Sequence, residues 1–355
     1  LKLTLDTEIQ YLIREELIKF QEIFNSYGST AILMNVNSGE ILSMVSLPDF
    51  DLNKREDISD KKFINRSTKG VYELGSVFKT FTLAAGLQQN VIQEDTLFKN
   101  LPKKIKCAGR SISEYDMDIP SSLTAEEILI RSGNIGSIKI AQKVGLENFK
   151  DFLENLDLLN KIQFDIEEVG NPIPFKWGKC KLATSAYGHG ITTTPLQLAK
   201  AYAIIANGGY KIKPTLIKKE KNLKRKEQII TQENSNKINE ILRKIVTSEQ
   251  GTANLANIAG YEIAGKTGTA QKSIKGKYSK KKINTFASIF PISSPKYVLI
   301  VLLDEPKLSE TYIYEYNDGK KRKIIGTPFN TAGWTSVEVA KNIIEKIGPI
   351  LAIKY

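Results

Sequence analysis

Strand-forming apolar runs stand at the two ends of this chain, and the long stretch between them reads as helix. Ala31 to Val36 and Glu40 to Val45 are short apolar runs joined by Asn37-Ser38-Gly39, a turn sequence that fits a hairpin. Past Gly251 three more strand candidates follow, Tyr261 to Ala270, Thr285 to Pro291 and Tyr297 to Asp304. Near the start, Lys2 to Leu5 alternates like a strand; Ile9, Leu12, Ile13, Leu17 and Phe20 then recur on one helical face, with Asp6 and Thr7 on offer as N-cap. Between about Val71 and Gln250 the pattern predicts helices over Val77 to Leu87, Thr124 to Arg131, Ile135 to Val144, Pro195 to Ala206 and Asn234 to Thr247. Gly170 to Gly178, with Pro172, Pro174 and Trp177, reads as an irregular loop, and a last helix runs from about Thr335 to Ile347. Sheet segments from both ends bracketing helices predict an α/β chain of the α+β kind, with one mixed sheet and an inserted helical lobe. The sheet-containing lobe is expected at about 1–70 and 251–355, the helical lobe at about 71–250, in a single domain.

Composition narrows the chemistry. With 41% hydrophobic and 25% charged residues in 355, the chain is neither disordered nor a multi-span membrane protein. His189 is the single histidine, so a catalytic triad or a multi-histidine zinc site would have to be built on that one residue. Cys107 and Cys180 are open to three readings, a structural pair, a redox couple or two buried thiols, of which the buried thiols are the plainest. The net charge of +12 comes from 43 Lys and 8 Arg against 39 acids. Lysine is a point charge and not the fork that grips phosphate, and the basic runs Lys211 to Lys226 and Lys272 to Lys282 lack interleaved aromatics. Those runs are expected as solvated loops, and nucleic acid is not an expected partner; an anionic membrane surface or polyanionic substrate is the sharper alternative. No stretch approaches the roughly 20 apolar residues of a membrane span and no signal peptide opens the chain, yet it begins at Leu1, so localisation stays open.

Three short segments can carry chemistry. In Glu73-Leu74-Gly75-Ser76-Val77-Phe78-Lys79-Thr80, a helix would place Ser76 and Lys79 on one face, where an amine can take the hydroxyl proton. Ser59, Ser279 and Ser293 also have Lys three positions on, so the spacing by itself says little. The surroundings of Ser76 say more: Val77, Phe78, Phe81, Leu83, Ala84, Ala85 and Leu87 make its helix apolar on nearly every side. Lys79 should be drawn into low dielectric and held as a neutral base, and Ser76 at a helix start gains from the free N–H groups there. Ser132-Gly133-Asn134 falls in the turn between two helices, where a terminator and a cap would serve as well. Lys266-Thr267-Gly268-Thr269 lies within a strand candidate, where glycine marks close approach and the hydroxyls and ammonium suit a carboxylate.

Together and in this order, the three form the S-x-x-K, Ser-x-Asn and K-T-G set of penicillin-recognising serine enzymes. Over almost its whole length the chain resembles the transpeptidase domain of a class B penicillin-binding protein, most of all the division-specific type. Asn65-Arg66, Tyr187 to Ile191, Thr194 to Ala199, Gly265 to Gln271 and Thr331-Ala332-Gly333-Trp334 carry the same resemblance. It implies the penicillin-binding/serine β-lactamase-like fold, a mainly antiparallel sheet flanked by helices. It implies that Ser76 attacks the penultimate D-alanine carbonyl of a stem peptide and that an amine from a neighbouring stem peptide completes the crosslink. Lys79 is then the acylating base, Ser132 a proton relay, Asn134 a ligand of the donor amide, and Lys266 a source of positive potential. Thr267 and Thr269 bind the terminal carboxylate, Gly268 leaves room for substrate, and the N–H groups of Ser76 and Thr269 form the oxyanion hole. His189 belongs to a backbone-packing loop. No metal or cofactor is implied; the implied partners are stem peptides, β-lactams, division proteins and a glycan polymerase. The implied location is the outer face of the bacterial cytoplasmic membrane, with the anchor and pedestal module outside this chain. Two departures stand out, Leu74 where proline is commoner and Gly133 where serine or aspartate is commoner. A serine β-lactamase, a D,D-carboxypeptidase and a non-catalytic β-lactam sensor or division scaffold are the competing functions; no water-activating glutamate can be picked from Glu147, Glu154, Glu167 and Glu168.

Overall fold

In the computed structural model, which describes residues 1–51, 53–54, 59–218, 227–274, 276–317 and 321–355, helix α1 (Thr7–Ile23) starts where Asp6 accepts the N–H groups of Glu8 and Ile9 at 3.1 Å. Its stripe of Ile9, Ile13, Leu17 and Phe20 is buried. The hairpin follows as β1 (Gly28–Asn35) and β2 (Ile41–Leu47), its turn stapled by Asn35 Oδ1, which accepts from the N–H groups of Asn37 and Ser38. Lys2 to Leu5 is not a sheet strand; it makes one bridge, Leu3 to Ile217.

The middle of the chain contains α2 (Lys79–Gln88), the two-residue strand β3 (Leu97–Phe98), the hairpin β4 (Lys104–Cys107) and β5 (Arg110–Ser113), β6 (Leu123–Thr124), α3 (Ala125–Ile130) and α4 (Asn134–Val144). Helices α5 (Leu146–Asn155), α6 (Lys179–Ser185), α7 (Pro195–Ala206) and α8 (Gln232–Thr247) complete it. Helix α7 opens on a Thr194–Gln197 capping box with Pro195 at its first position. The pattern reading missed α6, of seven residues, and the small hairpin, of four residues per strand, and also α5, whose amphipathic period is clear in Leu146, Phe149, Phe152 and Leu153. Cys107 and Cys180 are not free buried thiols: they form a disulfide, Cα to Cα 5.6 Å, joining β4 to α6.

Strands β7 (Ala264–Ile274), β8 (Lys277–Phe290) and β9 (Tyr297–Asp304) then pair antiparallel, a second small hairpin forms from β10 (Ile313–Asn317) and β11 (Lys321–Ile325), and α9 (Ser336–Lys354) ends the chain. The main sheet has the order β2-β1-β9-β8-β7, all neighbours antiparallel, so N- and C-terminal strands meet at the β1–β9 pair. All eight residues of β9 are buried, which requires cover on both faces. Helices α1 and α9 pack on each other and on the sheet; α7, buried along its whole length, packs on β1, β8 and β9 although it lies in the stretch expected as a helical lobe. Of the basic run Lys272 to Lys282, Lys275 lies outside the described residues and Gly276 is a turn; the rest is not loop but the paired ends of β7 and β8, with Lys272 bound to Asp304 at 2.6 Å and Glu305 at 2.7 Å. Of the run Lys211 to Lys226, residues 219–226 lie outside the described residues, and Lys211 pairs with Glu227 at 2.9 Å.

Candidate active site

Ser76 does not begin an α-helix. It sits in a 3₁₀ turn (Gly75–Phe78) that leads into α2, with Gly75 at φ +63°, a left-handed conformation that glycine adopts without strain. The loop through Gly188 packs on this turn so closely that a Cβ at 188 would lie 2.0 Å from the Gly75 oxygen. Upstream, Arg66 is wholly buried, paired with Asp304 at 3.4 Å and donating to the carbonyls of Leu47 and Lys62, which ties the chain ahead of Ser76 to the sheet.

Strand β7 is an edge of the main sheet, and it brings Lys266 to Thr269 against the Ser76 turn. Gly268 leaves room for the backbone: a Cβ there would stand 2.2 Å from the Leu74 oxygen and 3.2 Å from the Val77 nitrogen. Glycine is therefore what lets the K-T-G strand and the serine turn touch.

Ser132 occupies the turn between α3 and α4 at φ +59°, unusual for a residue with a side chain. Both lysines reach it. Lys79 Nζ donates to the Ser132 carbonyl at 2.5 Å, to Ser132 Oγ at 3.2 Å and to Asn134 Oδ1 at 2.7 Å. Lys266 Nζ donates to Ser132 Oγ at 2.9 Å and to the Thr267 carbonyl at 3.1 Å. Among the described residues the contacts of Lys79 thus run to Ser132 and Asn134 and not to the Ser76 hydroxyl three residues before it. A neutral amine has two N–H donors; the Ser132 carbonyl and Asn134 Oδ1 can take both, leaving the lone pair for a proton. Burial supplies that neutral form, lowering the Lys79 pKa to about 7 against the opposing pull of the Glu114 carboxylate. Lys266, also buried and repelled by Lys79, is pushed well below the ordinary lysine value.

Ser76, Lys79, Ser132, Asn134, Thr267 and Thr269 all line one cleft of about 1000 Å³. The two threonine hydroxyls are engaged: Thr267 Oγ1 lies 2.6 Å from Thr252 Oγ1, and Thr269 Oγ1 accepts the Ala332 N–H at 2.9 Å, which fastens the Thr331 to Trp334 segment to β7. His189 also faces the cleft, stacked between Tyr187 and Tyr278, with Nδ1 3.7 Å from the Glu73 carboxylate. The residue that pattern reasoning missed altogether is Glu114, whose carboxylate takes the N–H groups of Asn134 at 2.6 Å and Ile135 at 2.8 Å. It follows a four-residue strand in a stretch with no period, so no sequence signal marks it.

The penicillin binding protein transpeptidase domain model matches residues 29–330. The chain belongs to that family. The resemblance to class B penicillin-binding proteins, carried by the three motifs, holds across its relatives. It is 32% identical to "Probable peptidoglycan D,D-transpeptidase FtsI" of Caulobacter vibrioides, over 99% of this chain and 59% of that protein. It is 30% identical to "Stage V sporulation protein D" of Bacillus subtilis, over 86% of this chain and 50% of that protein. The chain therefore spans between half and three fifths of the length of these relatives. The structure titled for the apo transpeptidase domain of Burkholderia pseudomallei penicillin-binding protein 3 superposes with a TM-score of 0.83 at 25% identity, covering 99% of this chain and 96% of that one. The transpeptidase fold, mainly antiparallel and flanked by helices, is thus the fold of this chain.

Proposed function

We propose that this transpeptidase domain is a peptidoglycan D,D-transpeptidase that crosslinks stem peptides of the septal wall through an acyl-enzyme on Ser76. The observation that carries this reading is the convergence of Lys79 and Lys266 on the Ser132 hydroxyl, beside Ser76 in one cleft. Ser76 Oγ attacks the penultimate D-alanine carbonyl as its proton passes to neutral Lys79; the oxyanion forms between the N–H groups of Ser76 and Thr269. The C–N bond then breaks, and the proton travels through Ser132 to the departing amine of the terminal D-alanine. An amine from a second stem peptide attacks the ester, forms the new amide and returns the proton to Ser76. Asn134 holds the donor amide, Thr267 and Thr269 hold its carboxylate on the edge strand β7, and Lys266, buried behind them, adds positive potential.

Stem peptides lie outside the cytoplasmic membrane, and the Cys107–Cys180 disulfide suits that oxidising side. The domain therefore works on the outer face of the membrane, beside division proteins and a glycan polymerase, and β-lactams acylate the same serine. The test is intact-protein mass spectrometry over time with benzylpenicillin, beside Ser76→Ala, followed by a crosslinking assay. A stable single adduct that the variant lacks, together with crosslinked product, supports the transpeptidase. Rapid loss of the adduct with hydrolysed drug would move the assignment to a β-lactamase, a hydrolysed stem peptide to a carboxypeptidase, and an adduct without turnover to a sensor.

A further inference from the structure

Helix α4 carries Asn134 at its first position, and the residue before it, Gly133, has no side chain with which to cap the free N–H groups of the first turn. The cap comes from twenty residues upstream. One oxygen of Glu114 accepts from Asn134 N and the other from Ile135 N, while the neighbouring Ser113 carbonyl accepts from Asn134 Nδ2 at 2.8 Å. Asn134 is thereby held at three points, the third being Lys79 Nζ on its Oδ1. Glu114 is itself buried and fixed, its N–H donating to the Lys103 carbonyl at 2.9 Å across the β4–β5 hairpin, which the Cys107–Cys180 disulfide anchors to α6.

The structure assigns to Glu114 the part of a positioning residue for acylation: its carboxylate sets the first turn of α4, and through it Asn134 and Lys79. This rests on the reading of Lys79 as the base that serves Ser76. The charge matters as well as the hydrogen bonds. Glu114 faces a site that otherwise holds two buried amines, Lys79 and Lys266; Asp116 and Arg131 at the cleft pair with each other at 3.4 Å, and Glu249 also lines it. Among the described residues, Glu114 is the carboxylate that opposes the burial driving Lys79 towards neutrality.

The experiment compares wild type, Glu114→Gln and Glu114→Ala by the second-order rate of acylation with a fluorescent penicillin from pH 5.5 to 9. The Lys79 titration is followed in the same proteins by 13Cε NMR, assigned with Lys79→Arg. Glutamine can accept only one of the two N–H groups and brings no charge. Its acid limb and its Lys79 titration should both move to lower pH by about one pH unit, and its plateau rate should fall about tenfold. Glu114→Ala should lose more of the plateau. If Glu114→Gln gives the wild-type limb, titration and plateau, or lowers only the melting temperature, the assignment is overturned; if alanine fails to fold, glutamine still decides. Absence of acylation in wild type would refute the functional reading, while the NMR titration would still report on Glu114.

Discussion

Lys79 Nζ meets Ser132 at two atoms at once, 2.5 Å from the carbonyl and 3.2 Å from the hydroxyl of a serine whose backbone is left-handed. The grip on the carbonyl needs only the backbone, and the grip on the hydroxyl needs the side chain, so substitution separates the two. Ser132→Ala should keep the turn, since Lys79 still binds the carbonyl, and should lose the hydroxyl shared by Lys79 and Lys266. Penicillin acylation should slow about 100-fold or more, with a melting temperature close to wild type. An unchanged acylation rate would remove Ser132 from the proton path.

Burial of Lys79 has opposite consequences for rate and for stability. With its pKa near 7, the neutral base forms as pH rises, so the acylation rate should climb from pH 5.5 and level above about 8. In the unfolded chain the same lysine titrates near 10.4. Between those values the unfolded state holds a proton that the folded site has released, so stability rises with pH, and the penalty is full below about pH 7. Lys79→Met should abolish acylation and raise the melting temperature most at neutral pH and below. A less stable variant would show that the amine holds the site together instead of straining it.

A methyl group is enough to test the contact between β7 and the serine turn. In Gly268→Ala the new Cβ would meet the Leu74 oxygen, an atom of the backbone that cannot turn aside. The strand and turn must separate, at a cost of about 1–3 kcal/mol, and acylation should fall steeply because Lys266 and Thr269 move away from Ser76. Chemical denaturation and acylation rates on the same sample check both. Normal stability with lost activity would instead place the alanine in the path of the substrate.

The disulfide links positions 73 apart in sequence and joins the hairpin that leads to Glu114 with the helix that leads to the 187–189 wall of the cleft. Cys107→Ser with Cys180→Ser should lower unfolding stability by about 2–5 kcal/mol in urea melts. Acylation should also slow, since the hairpin that fixes Asn134 loses its anchor. Equal slowing of the wild type by reductant would confirm that the bond, and not the serine substitutions, is responsible.

Much of the site was legible because its parts are local. Ser76 and Lys79 are spaced for one turn, Ser132 to Asn134 lies between two helical patterns, and Lys266 to Thr269 falls in a strand pattern, so each could be placed on its element from neighbours within a few residues. The apolar surroundings of Lys79 likewise announced its lowered pKa. The residues around Ser76 suit an α-helix and a 3₁₀ turn alike, so the sequence does not separate the two. Between Lys272 and Lys282 the density of lysine hides the ends of two paired strands.

The sheet closed from both chain ends, most of the long helices and the three motif segments are written in the sequence; α5, α6 and the two small hairpins are not. Alternation, caps and turns act over a few residues, and their physics is written in the residues concerned. Tertiary structure alone decided which distant groups meet: Lys266 with Ser132 across 134 residues, Cys107 with Cys180 across 73, Glu114 with Asn134 across 20, and Gly268 with the backbone of Leu74. Such contacts form because burying the core brings the segments together, and the depth of that burial is what lowers the Lys79 pKa towards neutrality.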